Sequence, residues 1–450
     1  MSIENQVSKD YLQERVSFVL DHAKQSGASQ TEVSISNVIG LSVNARLGEV
    51  ETLEHQTDQG MSITLYDQQS KGSASTTDLT DASLQQMVQS ALSLARHTAS
   101  DDYAGLADAS LMADPDQLPD LDLYHPWSIN TEQAIELAIE CEAAALQADA
   151  RITNSEGASV SSYASMSVYG NSHGFIGGYQ TTRHNMSCVC IASDQKGMQR
   201  DYYYDVARHA EALLPAVDIG QQAADRTLKR LDARKLKTQQ APVLFVPEMA
   251  RSLFGSFMGA IRGSSQYRRS SYLLGSLETP VFPAWFNLHE NPLIPRALAS
   301  APFDGEGTAT FARDIIKDGV LQHYLLTSYS ARRLGLPFTG NAGGIRNGFI
   351  EADAQRIKPF AELLKQMQTG LVVTEMMGQA ANPVTGDFSR GAAGFWVEQG
   401  QIQYPVEEIT VAGNLRDLFQ RIQYLGSDID HRSGLKTGSV LVDQLTIAGE

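Results

Sequence analysis

The stretch TEVSISNVIGLSVNARLGEVETLEHQTDQGMSITLYDQQSKGSAST, residues 31–76, decides the fold of the first part of the chain. Apolar and polar side chains alternate along it, which is the period of a β-strand with one buried face. Gly40, Gly48 and Gly60 divide the alternation and predict turns. The stretch therefore predicts an antiparallel meander that buries one face. The alternating apolar residues are Val33, Ile35, Leu41, Val43, Ala45, Met61, Ile63 and Leu65.

Two predicted helices flank this meander and supply the surface that covers it. The first spans residues 8–26 and ends at Gly27, and the second begins at Asp81, whose carboxylate is expected to cap it. Helices against an antiparallel sheet define an α+β unit. The apolar stripes are Leu12, Val16, Leu20 and Ala23 in the first helix, and Leu84, Met87, Val88, Ala91 and Leu92 in the second.

The same pattern continues in a second subdomain. After an Asp- and Pro-rich loop at 107–127 come a helix at 131–150, strands within 158–193 and a helix at 219–236. The polar segment KLKTQQAP, residues 235–242, reads as a linker. We therefore predict an N-terminal α+β domain over residues 1–237, with subdomains at about 1–99 and 125–237.

Residues 238–450 predict a C-terminal β-rich domain. PVLFVP at 242–247 is a short buried strand that leads into a helix, and TGLVVTEMM and GSVLVDQLTIAG are later strands. Hairpin turns are expected at Asp318-Gly319 and at Gln399-Gly400.

Composition excludes several classes of protein. The chain has 450 residues, 42% hydrophobic and 19% charged, and a net charge of −17 from 52 acidic and 35 basic residues. Such a charge disfavours binding to nucleic acid. No apolar run approaches the ~20 residues of a membrane span, and the start MSIENQVSKDYLQERV lacks a secretory signal. We expect a cytoplasmic protein with three free thiols, Cys141, Cys188 and Cys190.

Motifs for nucleotide binding and for a serine hydrolase elbow are absent from the sequence. DGEG at 304–307 is expected to form a turn. HENP at 289–292 reads as a loop, because Pro292 breaks the helix that a zinc motif requires. His184, Cys188 and Cys190 share a strand face, but its ends are roughly 20 Å apart, whereas zinc ligands meet at ~2.0–2.3 Å from one ion.

One predicted helix has a face whose role the residue pattern does not explain. In SLFGSFMGAIRG, residues 252–263, apolar residues recur at helical spacing, while Gly255, Ser256, Gly259 and Ala260 leave the rest without reactive side chains. A glycine costs about 1 kcal/mol relative to alanine inside a helix. Close packing against another element at Gly255 and Gly259 is one explanation.

Three long stretches resemble the TldD/PmbA family, most closely its PmbA (TldE) branch, and the resemblance extends from about residue 30 to the C-terminus. It implies a two-domain fold and a cytoplasmic peptidase built from two related subunits. The stretches are GLSVNARLGEVETLEHQTDQGMSITLYDQQSKGSASTTDL at 40–79, NSHGFIGGYQTTRH at 171–184 and TGDFSRGAAGFWVEQGQIQYPVEEITVAGNL at 385–415.

The resemblance also implies what the helix has lost. The TldD branch carries H-E-x-x-x-H on the first helix of the C-terminal domain, with a cysteine ligand near the C-terminus. The matching positions here are Gly255, Ser256 and Ala260, and all three cysteines precede residue 191. Zinc requires imidazole, thiolate or carboxylate donors. We therefore expect no catalytic residue and no metal in this chain, and zinc in a TldD-like partner.

Arg390, Trp396, Glu398 and Tyr404 lie in the most family-like stretch and are candidates for substrate or subunit contacts. The alternative is structural: Trp396 is a good core residue, and Glu398 and Tyr404 can frame the hairpin.

The resemblance favours a PmbA/TldE-type subunit that joins a TldD-like subunit in a metalloprotease acting on peptides or unfolded proteins. A homodimer without the partner stays open. Two alternatives also stay open: a non-enzymatic binding or regulatory protein, such as a modulator of DNA gyrase, and an independent peptidase with an unrecognised site.

Overall fold

The computed structural model describes residues 7–379 and 381–450. Residues 1–6, on which the expectation of no signal sequence partly rests, lie outside this range. The helices are α1 Lys9–Gln25, α2 Asp81–His97, α3 Thr131–Leu146, α4 Ala216–Lys229, α5 Pro247–Ala260, α6 Gly263–Tyr267, α7 Ser328–Leu334, α8 Phe360–Met367 and α9 Leu415–Gln420. The strands are β1 Gln30–Arg46, β2 Glu49–Asp67, β3 Ser70–Thr76, β4 Ile152–Asn171, β5 Ile176–Ser193, β6 Met198–Ala207, β7 Gln239–Phe245, β8 Phe286–Glu290, β9 Arg313–Lys317, β10 Val320–Leu321, β11 Gly348–Ala352, β12 Ile357–Lys358, β13 Gly370–Met377, β14 Asp387–Glu398, β15 Gln401–Asn414, β16 Ile422–Gly426, β17 Leu435–Lys436 and β18 Val440–Ala448.

The N-terminal half is built on one antiparallel sheet with strand order β3-β2-β1-β4-β5-β6. Strands β1 and β4 pair along fourteen positions, from Glu32 opposite Asn171 to Ala45 opposite Ala158. This pairing joins the strands of the two predicted subdomains into a single sheet.

Helices α1 to α4 cover one face of this sheet and form two apolar clusters. Val33 and Ile35 of β1 pack with α1 and α2, whereas Val43 and Ala45 of the same strand pack with α3 and α4. These four residues are separated by even numbers, so they share a face. The predicted alternation is confirmed, and one long strand serves both helix pairs.

Two of the three predicted glycine turns are wrong. Gly40 lies within β1 and Gly60 within β2, so each strand is about twice as long as expected. At Gly40 an added Cβ would lie 2.2 Å from the Tyr163 ring, so this glycine makes room for an aromatic side chain across the sheet. The turn at Gly48 is confirmed, with positive φ at Leu47 and Gly48.

Other elements differ from the prediction in their bounds. Strand β6 was not predicted, and α4 ends at Lys229 rather than at residue 236. Asp81 is the first residue of α2 rather than its cap, which is Thr80. His289 belongs to β8 rather than to a loop.

The C-terminal half is β-rich, as predicted, and the α+β fold class is confirmed. Strands β7, β13, β14, β15 and β18 pair in a closed ring, because β7 pairs with both β13 and β18. A second sheet has the order β10-β9-β8-β11-β17. The hairpin turns at Asp318-Gly319 and Gln399-Gly400 are both confirmed, with positive φ at each residue.

The three cysteines are buried and free, as predicted. His184 accepts a hydrogen bond from Ser162 at Nδ1 (3.0 Å) and donates one from Nε2 to the His125 carbonyl (2.8 Å). Both ring nitrogens are therefore used, and His184 is a hydrogen-bonded structural histidine. No described helix is both long and apolar enough to cross a membrane.

Candidate functional site

Helix α5 is fixed in place by aromatic packing. Strand β7 leads directly into it, and Pro247 occupies its first turn, where a missing N–H costs nothing. Phe254 and Phe257 are buried and contact a group of aromatic rings at centroid distances of 5.0–6.3 Å. Those rings are Phe282, Phe286 and Phe419. Because these rings hold one face of α5 in the core, the opposite face of the helix points away from the core.

The opposite face of α5 is open. Gly255 is exposed, and a Cβ added at Gly255 or Gly259 would meet no atom within 4 Å. The prediction that these glycines permit close helix packing is therefore wrong. The space that a side chain would occupy at these positions is open, although Ser265 Oγ of α6 donates to the Gly259 carbonyl (2.7 Å).

The three positions of the zinc motif do not converge. Gly255 and Ser256 lie on the outer part of α5, whereas Ala260 is only 3% exposed and belongs to the core. Residues five apart on a helix are separated by about 140°. The Ala260 carbonyl also accepts hydrogen bonds from Gln266 Nε2 (2.7 Å) and Ser271 Oγ (2.8 Å), which hold the helix end.

Arg390 is the sequence-predicted residue that the structure brings to this helix. Its Nη1 donates to Ser252 Oγ at 3.0 Å, and its Nη2 donates to the Met376 carbonyl at 3.3 Å. Among the described residues, no carboxylate lies within 4 Å of its guanidinium, and burial lowers its pKa. The open face therefore ends at a cation without a counter-charge, which can bind a peptide carbonyl or carboxylate.

Trp396, Glu398 and Tyr404 form a separate cluster. Trp396 Nε1 donates to Glu398 Oε1 at 3.0 Å, and Trp396 lies opposite Tyr404 in the sheet. The Arg234 guanidinium stacks on the Tyr404 ring, 4.5 Å from its centroid. Arg390 and Trp396 are six residues apart on β14, which corresponds to roughly 20 Å along a strand. The Trp396, Glu398 and Tyr404 side chains therefore lie apart from Arg390 and frame the hairpin beside the linker.

A zinc ion does not fit the α5 face. Gly255 and Ala260 offer no donor atom, and the Ser256 hydroxyl donates back to the Ser252 carbonyl (3.4 Å). Within residues 7–379 and 381–450, no three His, Cys, Asp or Glu side chains are grouped so as to hold a metal. His289 is paired with Asp314 (2.9 Å), and Glu290 accepts hydrogen bonds from Asn341. No catalytic step through a metal is derived for this chain.

The first turn of α5 joins the two domains, which the sequence did not reveal. Glu248 accepts from Arg226 Nη1 (3.0 Å) and Arg432 Nη2 (3.1 Å), and Arg251 Nη1 donates to Asp430 (2.8 Å). These partners are up to about 200 residues apart in sequence, so no local pattern predicts the network.

A cleft of 790 Å³ separates the outer face of the N-terminal sheet from the C-terminal domain. Ser34, Ser62 and Tyr169 line one wall, and Asp304 and Arg346 line the other. DGEG forms the predicted turn, since Asp304 Oδ1 accepts the N–H groups of residues 306 and 308. Next to the cleft, burial raises the pKa of Glu306 to about 7.

Three domain profiles of one family match the chain. They are the PmbA/TldA metallopeptidase domain 1 at residues 31–95, the central domain at 124–231 and the C-terminal domain at 238–449. The chain belongs to the PmbA/TldD metallopeptidase family. The chain is similar over its full length to "Metalloprotease PmbA" of Escherichia coli O157:H7, with 50% identity that covers 100% of this chain and 99% of that protein.

Haemophilus influenzae has two relatives within this PmbA/TldD family. A "Metalloprotease PmbA homolog" is 45% identical over 97% of this chain and 96% of its own, and a "Metalloprotease TldD homolog" is 22% identical over 55% and 56%.

Solved structures agree with the fold. A proposed modulator of DNA gyrase from Bacteroides thetaiotaomicron superposes with a TM-score of 0.92 at 26% identity, covering 99% of this chain and all of that one. TldE from Thermococcus kodakarensis has the same fold, with a TM-score of 0.79 at 16% identity over 97% and 100%.

Proposed function

We propose that this chain is the PmbA/TldE-type, metal-free subunit of a cytoplasmic two-subunit metalloprotease that cleaves peptides or unfolded proteins. Zinc belongs to a TldD-like partner. The observation that carries the proposal is helix α5, where Gly255, Ser256 and Ala260 stand in place of two zinc ligands and a general base. A zinc protease needs at least three metal ligands and a group that activates water, and these positions of α5 supply neither.

The occurrence of two family members in one organism supports a paired arrangement. Haemophilus influenzae has both a PmbA homolog and a TldD homolog, and this chain is twice as similar to the first. Two diverged chains of one family in the same organism can have separate roles, one in metal chemistry and the other in substrate binding.

The role of this chain in cleavage is to bind and position the peptide. The open α5 face, ending at Arg390, offers a guanidinium to a peptide carbonyl or carboxylate without competition from a local carboxylate. An extended peptide bound through its backbone requires no particular sequence. Correct positioning contributes to cleavage as much as the ion does.

A reconstitution assay tests the proposal. The chain alone, a TldD-like subunit alone and their mixture are incubated with an unstructured peptide, and cleavage is followed together with co-elution on size exclusion. We expect cleavage by the mixture, no cleavage by this chain alone, and full loss of activity with a zinc chelator. Ser256→Ala should leave the rate within a few-fold, because no base role is assigned to this hydroxyl.

Two outcomes would favour the other functions. Chelator-resistant cleavage by this chain alone would indicate an independent peptidase. Absence of both co-elution and cleavage in the mixture would indicate a separate binding or regulatory protein.

A further inference from the structure

A second cleft, of 570 Å³, lies between the last strand of the N-terminal sheet and the C-terminal domain. Its walls come from three segments, at residues 205–212, 295–298 and 431–436. It is remote in sequence from the α5 face, and the proposed function does not use it.

Cationic side chains dominate this cleft, although the whole chain has a net charge of −17. Asp205 and Glu211 are its carboxylates, and both Asp205 oxygens already accept backbone N–H groups, of Val206 and Leu214 (2.9 Å each). The basic lining residues are Arg208, His209, Arg296, His431, Arg432 and Lys436. The lining therefore holds four Arg or Lys side chains against two carboxylates, and two of the four are paired with carboxylates outside it, Arg296 with Asp122 and Arg432 with Asp430 and Glu248.

Two of the four Arg and Lys side chains lack a carboxylate partner within 4 Å among the described residues: Arg208 and Lys436. Arg208 donates instead to the carbonyls of Thr182 (2.9 Å) and Leu298 (2.7 Å), one in each domain. Burial and the like charge of Arg183 lower its pKa. Burial without a counter-ion destabilises the charged form of a guanidinium, and an anionic ligand bound beside it would stabilise that charge.

Lys436 is even less engaged. Its Nζ donates weakly to the Ser433 carbonyl (3.4 Å) and lies 5.3 Å from the Phe349 ring centroid. The Asp430 carboxylate, which attracts the Lys436 charge, is already bound to Arg251 and Arg432. Burial lowers the pKa of Lys436. Its remaining N–H donors are free for a ligand.

His209 adds a hydrogen-bond donor at the rim. Its Nδ1 accepts the Glu211 N–H at 3.2 Å, which leaves Nε2 to carry the ring N–H. The arrangement thus combines an Arg fork, a Lys point charge and an imidazole N–H, the groups that bind oxyanions in proteins.

We propose that this interdomain cleft binds a small, multiply charged oxyanion, with Arg208 and Lys436 supplying the charge and His209 an additional hydrogen bond. The shared chemistry is that of a phosphate group or a polycarboxylate. Because Arg208 and Lys436 belong to different domains, the bound anion also bridges the two halves of the chain.

Calorimetric titration of the full chain tests this site without any peptidase assay, so its outcome is independent of the proposed function. Inorganic pyrophosphate is the probe for phosphate, and citrate is the probe for carboxylate, both in phosphate-free buffer of low ionic strength. We expect one anion bound per chain, with affinity that falls as salt is added. Binding of one probe but not the other would identify the oxyanion class.

Lys436→Met should weaken that binding by at least about tenfold, as expected for a lost charge-assisted hydrogen bond. Lys436→Gln is the second variant if the methionine does not fold. The matched control is Lys365→Met, which removes an exposed lysine paired with Glu362 and should change affinity less than about twofold. The proposal is overturned if neither anion binds the wild type at millimolar concentration, or if the Lys436 variants bind as the wild type does.

Discussion

Arg390 is the residue through which this chain is expected to contact a substrate. It is held beside α5 by Ser252 and the Met376 carbonyl, with no carboxylate nearby. Arg390→Met should lower kcat/KM of the reconstituted protease about tenfold or more, because a charge-assisted hydrogen bond is lost. Arg390→Lys should retain part of the activity, since it keeps the charge without the planar fork.

The control for Arg390 removes the same charge elsewhere. Arg96 lies on α2 and forms an exposed pair with Asp67 at 3.5 Å. Arg96→Met should leave kcat/KM within about twofold. Equal loss in both variants, or none in Arg390→Met, would contradict a substrate role for Arg390.

Glu306 is a half-buried carboxyl group that makes stability depend on pH. It accepts hydrogen bonds from the Ser328 N–H (2.9 Å) and Oγ (2.8 Å), and burial raises its pKa from 4.5 to about 7. The folded state therefore binds more protons than the unfolded state between these values. Its contribution is fully present below pH 4.5 and is lost as the pH rises through 7.

Glu306→Gln should remove this pH dependence, because an amide does not ionise. Between pH 5 and pH 8, the wild type should lose about 2 kcal/mol of unfolding free energy more than the variant. Urea denaturation at the two pH values measures the difference. Glu54→Gln, on the exposed part of β2, should behave as the wild type, and parallel profiles for all three proteins would refute the account of Glu306.

Among the helices, α5 contains two glycines at which an added Cβ would meet no neighbouring atom. Gly255→Ala and Gly259→Ala should each stabilise the chain by about 0.5–1 kcal/mol, because alanine favours the helix and meets no atom. Gly259→Leu should be tolerated as well. Chemical denaturation measures all three.

Gly220 of α4 is the matched control, and it should respond in the opposite direction. An added Cβ there would lie 2.1 Å from the Cys141 carbonyl oxygen, which is backbone and cannot yield. Gly220→Ala should destabilise the chain by about 1–3 kcal/mol. A loss of that size at Gly259 would mean that α5 is covered.

The elements also show what the sequence could and could not reveal. Period-two alternation identified the sheet, and the Asp318-Gly319 and Gln399-Gly400 pairs identified two hairpins. Gly40 misled because its function is a contact with Tyr163, a residue more than a hundred positions away. The prediction for Gly255 and Gly259 was wrong because the spacing of glycines in a helix does not show whether another element packs against them.

The site was predicted only in part. Motif positions on α5 follow from a resemblance, and the approach of Arg390 to Ser252 requires the tertiary fold. The same holds for the interdomain network and for the two clefts, whose walls combine distant segments. Local sequence patterns do not predict contacts between segments that are far apart in the chain.

In the whole molecule, Arg432 links the two domains, because its guanidinium pairs with two carboxylates of its own domain and also donates to a backbone carbonyl of the N-terminal domain. Its guanidinium contacts Asp430 (2.8 Å), Glu248 (3.1 Å) and the Tyr204 carbonyl (2.9 Å), and the Asp430 and Glu248 side chains are 5% and 12% exposed. Arg432→Met leaves these carboxylates short of a partner. We expect a loss of about 3 kcal/mol and faster proteolysis near the linker.

An exposed pair provides the comparison for Arg432. Arg200 and Glu156 are 2.6 Å apart, with side chains 52% and 46% exposed. Arg200→Met should change stability by less than about 0.5 kcal/mol. Similar losses in both variants would show that burial does not strengthen the interdomain network.

The zinc content of the purified chain decides whether this chain is the metal-free subunit. The chain, expressed without its partner, is dialysed against a weak chelator and its zinc is measured by elemental analysis beside a TldD-like subunit treated in the same way. Because Gly255, Ser256 and Ala260 offer no ligand set, we predict no stoichiometric zinc in this chain and about one zinc per TldD-like subunit. About one zinc per chain retained here would contradict the account.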